Sequence, residues 1–242
     1  MAKRLTYMLL ITLLLNSFII REGWTRERLI PFQREGKWGY KDARGKEVMS
    51  PQFIIAQDFS PQGIAAVVDE RGWAYIDTRG KVVIRPFIFD NGPDYFREGL
   101  ARFTDNNKFG FFDEKGRVVI KPQFDFAYPF SEGLAAVCNG CKEELEGEHR
   151  VIKEGKWGYV GKKGEVVIPL KFAEAKSFEN GKAQVKVGNR WIYIDTRGRE
   201  VQMSSERLIE ELNSIDVQAF ALAYSSEEDM RNVNLRTEVE ME

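Results

Sequence analysis

The chain of 242 residues has one histidine, two cysteines and almost no net charge, −1 from 36 basic and 37 acidic side chains. Each scarcity removes a class of function. A nucleic-acid footprint normally shows as a marked basic excess, whereas here basic residues recur singly at turns (Arg44, Arg79, Lys115, Arg197). His149 is the only candidate base for a Ser-His-Asp arrangement, and no nucleophile motif lies near it. No Gly-rich phosphate cradle is present: Gly45-Lys46 and Gly80-Lys81 lack the Walker spacing and a following Ser or Thr. Long apolar runs are missing too. The stretch from Leu5 to Ile20 has Thr and Asn within it and falls short of the ~20 apolar residues of a spanning helix.

What the chain does have is a repeat. Glu35-Gly36-Lys37-Trp38-Gly39-Tyr40 returns as Glu154-Gly155-Lys156-Trp157-Gly158-Tyr159, and around these copies a unit of about 35 residues recurs five times. Its anchor aromatics are Trp38, Trp73, Phe109, Trp157 and Trp191. A fixed period of this size means an array of one supersecondary unit, each copy too small to bury its apolar face alone. Within a unit, an apolar strand (Leu134-Ala135-Ala136-Val137) precedes an aromatic one (Trp73-Ala74-Tyr75-Ile76). A four-residue turn follows, with Asp first and Gly last: Asp42 to Gly45, Asp77 to Gly80, Asp113 to Gly116, Asp195 to Gly198. Asp accepts a backbone hydrogen bond from two residues on and Gly takes positive φ, which suits a hairpin loop. A β-branched strand such as Val118-Val119-Ile120 then runs to a proline, which ends it. The fourth copy departs from this pattern, with Gly161 where Asp is expected and its proline one place early.

The fold class expected from this pattern is all-β. It is a tandem array of about five short antiparallel β-meander or hairpin repeats, open or partly curled, because the unit lacks the fourth strand of a propeller blade. Phe, Tyr and Trp make up 12% of the chain, enough to fill a core along such an array. The copies Gly36-Lys37-Trp38-Gly39-Tyr40 and Gly155-Lys156-Trp157-Gly158-Tyr159, with the recurring Asp-x-x-Gly-x-Val-Val-Ile-x-Pro-x-Phe, resemble the WG-repeat (KWG-repeat) family over roughly residues 29 to 202. Phe109-Gly110-Phe111 and Trp73-Ala74-Tyr75 each depart by one residue. The resemblance implies a β-repeat scaffold of a mainly bacterial, often extracytoplasmic family, and carries over no catalytic residue.

The ends differ from the repeat. Lys3 and Arg4 before an apolar run fit a secretory signal peptide or a short N-terminal anchor over residues 1–23, leaving 24–202 for the repeat domain. Leu208, Ile209, Leu212 and Ile215 fall on one helical face, so 203–224 are expected to form a helical C-terminal cap. Residues 225–242, rich in acids, are expected to be disordered.

The spacing from Phe109 to Trp157 is 48 residues, and the excess is one insertion holding Cys138, Cys141 and His149. Three readings compete for it. In an exported chain the two thiols pair as a disulfide, with Asn139-Gly140 turning the chain between them. A metal site would use Cys138, Cys141, His149 and a carboxylate such as Glu148, although one Cys-x-x-Cys and one His make only a weak half-site. A thiol-redox centre would want a helix amino terminus beside the thiolate.

The expectation that follows is an exported, extracytoplasmic scaffold that binds a protein, peptide or envelope glycan without catalysis. It would use no metal or other cofactor, bind no nucleic acid, and meet the membrane only through its N-terminal segment. The rival is an enzyme, redox or metal-binding protein working at the Cys138/Cys141/His149 loop. The anchor aromatics are expected to be inter-unit core rather than an exposed binding row.

Overall fold

In the computed structural model, residues 28–147 and 149–202 are described, and among them every regular element is a strand. Strands consecutive in the chain pair antiparallel into five sheets and one small hairpin. The first sheet holds β1 (Ile30–Arg34), β2 (Lys37–Lys41) and β3 (Glu47–Phe53). The second holds β4 (Ile55–Ala56), β5 (Ile64–Asp69), β6 (Gly72–Asp77) and β7 (Val82–Ile84). A hairpin of β8 (Ile88–Phe89) and β9 (Gly92–Pro93) precedes the third sheet, β10 (Leu100–Asp105), β11 (Lys108–Asp113) and β12 (Val118–Phe124). The fourth holds β13 (Phe126–Ala127), β14 (Leu134–Glu146), β15 (His149–Gly161) and β16 (Val166–Phe172). The fifth holds β17 (Glu174–Ala175), β18 (Lys182–Val187), β19 (Arg190–Asp195) and β20 (Glu200–Val201). The expectation of three strands per unit is corrected in the second, fourth and fifth sheets. Each gains a two-residue outer strand from the segment after the bend, too short to register as a strand in the sequence.

Side chains alternate along each strand, so one sheet serves two cores. Ala135 and Val137 of β14 pack with Phe109, Phe111 and Phe124 of the third sheet, while Leu134, Ala136 and Cys138 pack with Phe178, Val185 and Ile194 of the fifth unit. Four such cores join the five sheets, one per neighbouring pair. Among the described residues none joins the fifth sheet to the first. The array is therefore an open stack. Polar contacts cross the same joints. Tyr40 and Tyr159, both fully buried, donate their hydroxyls to Gln57 O and Lys176 O of the following unit at 2.7 Å. The Glu98 and Glu132 carboxylates accept the N–H groups of Gly133 and Gly181 at 3.0 and 2.9 Å.

The glycine of the repeated Trp-Gly-Tyr has a steric origin. Three sheets share one irregular register: Trp38↔Phe53 with Tyr40↔Met49, Phe109↔Phe124 with Phe111↔Ile120, and Trp157↔Phe172 with Tyr159↔Ile168. The last strand of each of these sheets (β3, β12, β16) spends more residues than the middle one over the same distance, so it bulges onto the middle strand's backbone. A Cβ on Gly39 would lie 2.7 Å from Pro51 N, one on Gly110 2.8 Å from Pro122 N, and one on Gly158 2.7 Å from Leu170 N. Nothing larger than hydrogen fits. The second unit has Ala74 at this place, and its last strand β7 is three residues long against seven for β3, β12 and β16.

The Asp-to-Gly turns form as the sequence suggests. In the turn after β6, Asp77 Oδ1 accepts the N–H groups of Arg79 and Lys81 at 2.9 and 3.0 Å. The fourth-unit turn keeps the same form despite Gly161. Gly161 N–H reaches Glu165 O and Gly164 N–H reaches Gly161 O, both at 2.9 Å, as in the other copies. Glu165 supplies the missing carboxylate: its Oε2 accepts the Lys163 N–H at 3.2 Å, and the side chain fills the space where a Gly161 Cβ would lie. The expected N-terminal segment 1–23, helical cap 203–224 and tail 225–242 lie outside the described residues.

Candidate functional site: a cleft where the repeat breaks

Three departures from the repeat fall side by side. The first follows from Ala74. Without the register shift that three other sheets have between the first two aromatic positions, β7 ends at Ile84, and the chain leaves the second sheet and folds out as the β8–β9 hairpin. Asp90 and Asn91 make its turn at φ of 49° and 66°, a conformation these residue types tolerate. Trp73 Nε1 fixes the tip by donating to Asn91 O at 3.2 Å.

The second departure is Arg102, which stands on β10 where β5 and β14 have Ala66 and Ala136. Asp94 takes over from the missing outer strand of this sheet. One of its carboxylate oxygens accepts both the Arg102 backbone N–H and Nε at 2.9 Å, and the other accepts Nη2 at 2.7 Å. Arg102 Nη1 donates to Ala127 O at 2.9 Å, tying the third unit to the fourth. Both side chains are buried, 5% and 2% exposed, so each charge depends on the other for its compensation.

The third departure is the insertion. It is not a loop but the outward extension of one hairpin: β14 and β15 are 13 residues each and stay paired to Glu146↔His149. Nor do Asn139 and Gly140 form a turn. Gly140 lies opposite Gly155, both in the left-handed region (φ 77° and 72°), and the Gly140 N–H donates to Asp125 Oδ2 at 2.7 Å. Charges pair across the extension, Lys142 with Glu154 at 2.9 Å and Lys153 with both Glu144 and Glu146. The sulfurs of Cys138 and Cys141 lie within disulfide-bonding distance, their Cα atoms 6.1 Å apart. His149 pairs five positions beyond Cys141↔Glu154, which is roughly 16 Å along a strand. The register therefore does not bring the histidine to the cysteines; Glu148 lies outside the described residues.

All three departures line one open cleft of about 1060 Å³. The β8–β9 hairpin gives Phe89 and, just beyond it, Tyr95; the extended hairpin gives Cys141, Val151 and Ile152; the fifth unit gives Glu174, Lys176 and Trp191. The floor is aromatic. Tyr128 stacks on Trp157 with centroids 5.5 Å apart, and Phe126 meets the rings of Phe109 and Trp157 at 5.3 and 5.9 Å. Burial pushes the Tyr128 hydroxyl pKa up, Arg102 pulls it back, and Glu174 adds to the rise. Trp157 Nε1 is buried and has no hydrogen-bond partner among the described residues.

The five anchor aromatics divide. Phe109 and Trp157 are buried, Trp38 and Trp73 are half-buried, and Trp191 is 44% exposed with Lys176 and Lys186 over its ring at 5.3 and 5.8 Å. Three of them, Phe109, Trp157 and Trp191, border the cleft. Sequence reasoning did not assemble this site. Its signals were nonetheless visible as the places where aligned copies disagree: Ala74 for Gly, Arg102 for Ala, and the excess before Trp157.

Stacked antiparallel meanders, joined by one shared core per neighbouring pair, define a β-repeat scaffold. The model of the WG containing repeat matches residues 38–70, 73–109, 109–142 and 157–191, and the chain belongs to this WG-repeat family. The outer part of the extended hairpin falls between the last two matches. No curated protein matches the chain. Among solved structures, one described as "Crystal structure of the eukaryotic initiation factor" is similar at 13% identity and a TM-score of 0.35, over 74% of this chain. The chain spans about half that chain's length (52%), and the likeness is too distant to bear on fold or function.

Proposed function

We propose that the chain is an exported, non-catalytic binding scaffold that takes a protein, peptide or envelope ligand in the aromatic cleft. One observation carries this reading: three departures from the repeat, at Ala74, at Arg102 and in the extended hairpin, border that one cleft. Regular units serve packing, and residues that break the rule without serving the stack are where function is expected. The cleft borders offer little for catalysis. Asp94 is tied to Arg102, Lys142 to Glu154 and Glu174 to Lys186, so their charges are already compensated. Export is supported by Lys3-Arg4 before the apolar run and by the paired sulfurs, which suit an oxidising compartment.

Site-specific photo-crosslinking in cells producing the full chain tests the reading. A benzophenone side chain replaces Tyr95, at the cleft, or Val118, which is exposed but does not line it. A discrete adduct from position 95 and none from position 118, in an extracytoplasmic fraction, is the expected outcome. Equal labelling from both positions, or adducts found only in the cytosol, contradicts it. Activity that vanishes in a folded Cys138→Ser/Cys141→Ser variant would favour a redox role instead.

A further inference from the structure

Resting on that reading, we propose that the cleft's ligand is an extended peptide segment carrying apolar side chains. The border composition points there. Among the described residues no Ser, Thr, Asn or Gln lines the cleft, so neutral side-chain amides and hydroxyls of that kind are missing from its described surface. Its charged residues are of both signs, and Asp94, Asp125, Lys142 and Glu174 each hold an ion-pair partner within the protein. That leaves little net field for an anion or a cation. What faces the ligand is apolar: Phe89 and Tyr95 are 51% and 61% exposed on one side, and Trp191 is 44% exposed on the other.

One further observation separates a peptide from an apolar chain without polar groups. The Trp157 indole N–H at the floor is a buried donor with no partner among the described residues, and a peptide carbonyl is the acceptor it lacks. The cleft's length suits a strand: crossing from the third unit to the fifth spans two sheet spacings, roughly 20 Å, or about six extended residues. Exposed apolar surface beside a buried donor that lacks an acceptor suits an extended peptide, whose side chains and carbonyls alternate along its length.

The test is selection of displayed random dodecapeptides on the immobilised full chain, with chitohexaose as the glycan probe. Enriched peptides should carry aromatic or branched aliphatic residues at alternate positions. A synthetic copy should lose at least about tenfold in affinity to a Phe89→Ala/Tyr95→Ala variant, whose exposed side chains leave the fold intact by near-UV circular dichroism. Tyr128→Ala should lose at least as much, and the Val118→Ser control should lose nothing. Enriched peptides without apolar residues, or affinity indifferent to both cleft variants, overturn the peptide assignment. Chitohexaose binding that depends on Phe89 and Tyr95 overturns it too, while keeping the cleft as a binding site. Failure of both probes to bind in a cleft-dependent way overturns the binding reading itself.

Discussion

Replacing Gly158 by alanine should undo one sheet in a defined way. A Cβ there would lie 2.5 Å from Ile168 O and 2.7 Å from Leu170 N, both main-chain atoms of a strand held on its other side by core contacts. The neighbour cannot rotate away, as a side chain would. Overpacking of this kind costs typically 1–3 kcal/mol. If the outer half of β16 instead lifts off, Phe172, only 3% exposed, loses its burial at about 1.5–3 kcal/mol. Either route gives a loss of about 1–3 kcal/mol. The second unit shows which route the chain takes, since Ala74 there coincides with a last strand cut to three residues. Urea unfolding measures the loss, and hydrogen exchange locates it. Amides at Lys171 and Phe172 should lose protection while those at Val166 and Ile168 keep it. A Gly158→Ala chain within about 0.5 kcal/mol of the parent, with Phe172 still protected, would refute the steric account of the Trp-Gly-Tyr glycine.

The other expectations are shorter. Asp94→Ala leaves the Arg102 charge buried and unpaired, so stability should fall by about 3–5 kcal/mol, measured by urea unfolding, with faster proteolysis of the β8–β9 hairpin. Glu165→Ala removes the substitute turn carboxylate and should cost about 1 kcal/mol in thermal unfolding, which Gly161→Asp in the same chain should restore. Burial raises the hydroxyl pKa of Tyr40, with the Asp58 charge adding to it, and burial alone raises that of Tyr159. The folded state thus holds both protons more tightly than the unfolded chain. The stability they confer is complete below the unfolded tyrosine pKa of ~10 and is lost as pH climbs from there through the folded values. Phenolate absorbance should rise for these two residues only as the protein unfolds in alkali; reversible titration in the folded protein near pH 10 would contradict it.

Much of the architecture was legible because its signals are local. Period, alternation and the Asp-to-Gly turns each sit within a few residues, and five copies reinforce one another. The outer strands escaped notice because Phe126-Ala127 and Glu174-Ala175 are two residues long, without any alternation to read. The insertion read as a loop because its charged residues were seen without their cross-strand partners. Lys142 with Glu154, and Lys153 with Glu144 and Glu146, become a strand signal only once the register pairs them. The carboxylate missing at Gly161 is likewise restored by a side chain four residues later, which no position-by-position alignment of the repeat would credit. The cleft was the least legible feature, since it arises from three departures in different units that meet only in space.

The open stack of nearest-neighbour units is tested most directly by hydrogen exchange on the full chain carrying Gly116→Val. Gly116 has φ 76°, and its Cβ would lie 2.7 Å from Val83 Cγ2 of the preceding unit, so the substitution strains its own turn and the joint between the second and third sheets. Protection should fall in those two sheets while β18 and β19 of the fifth keep theirs. Simultaneous loss of protection in all five sheets, with one common rate, would contradict an open stack and require a closed, globally cooperative structure.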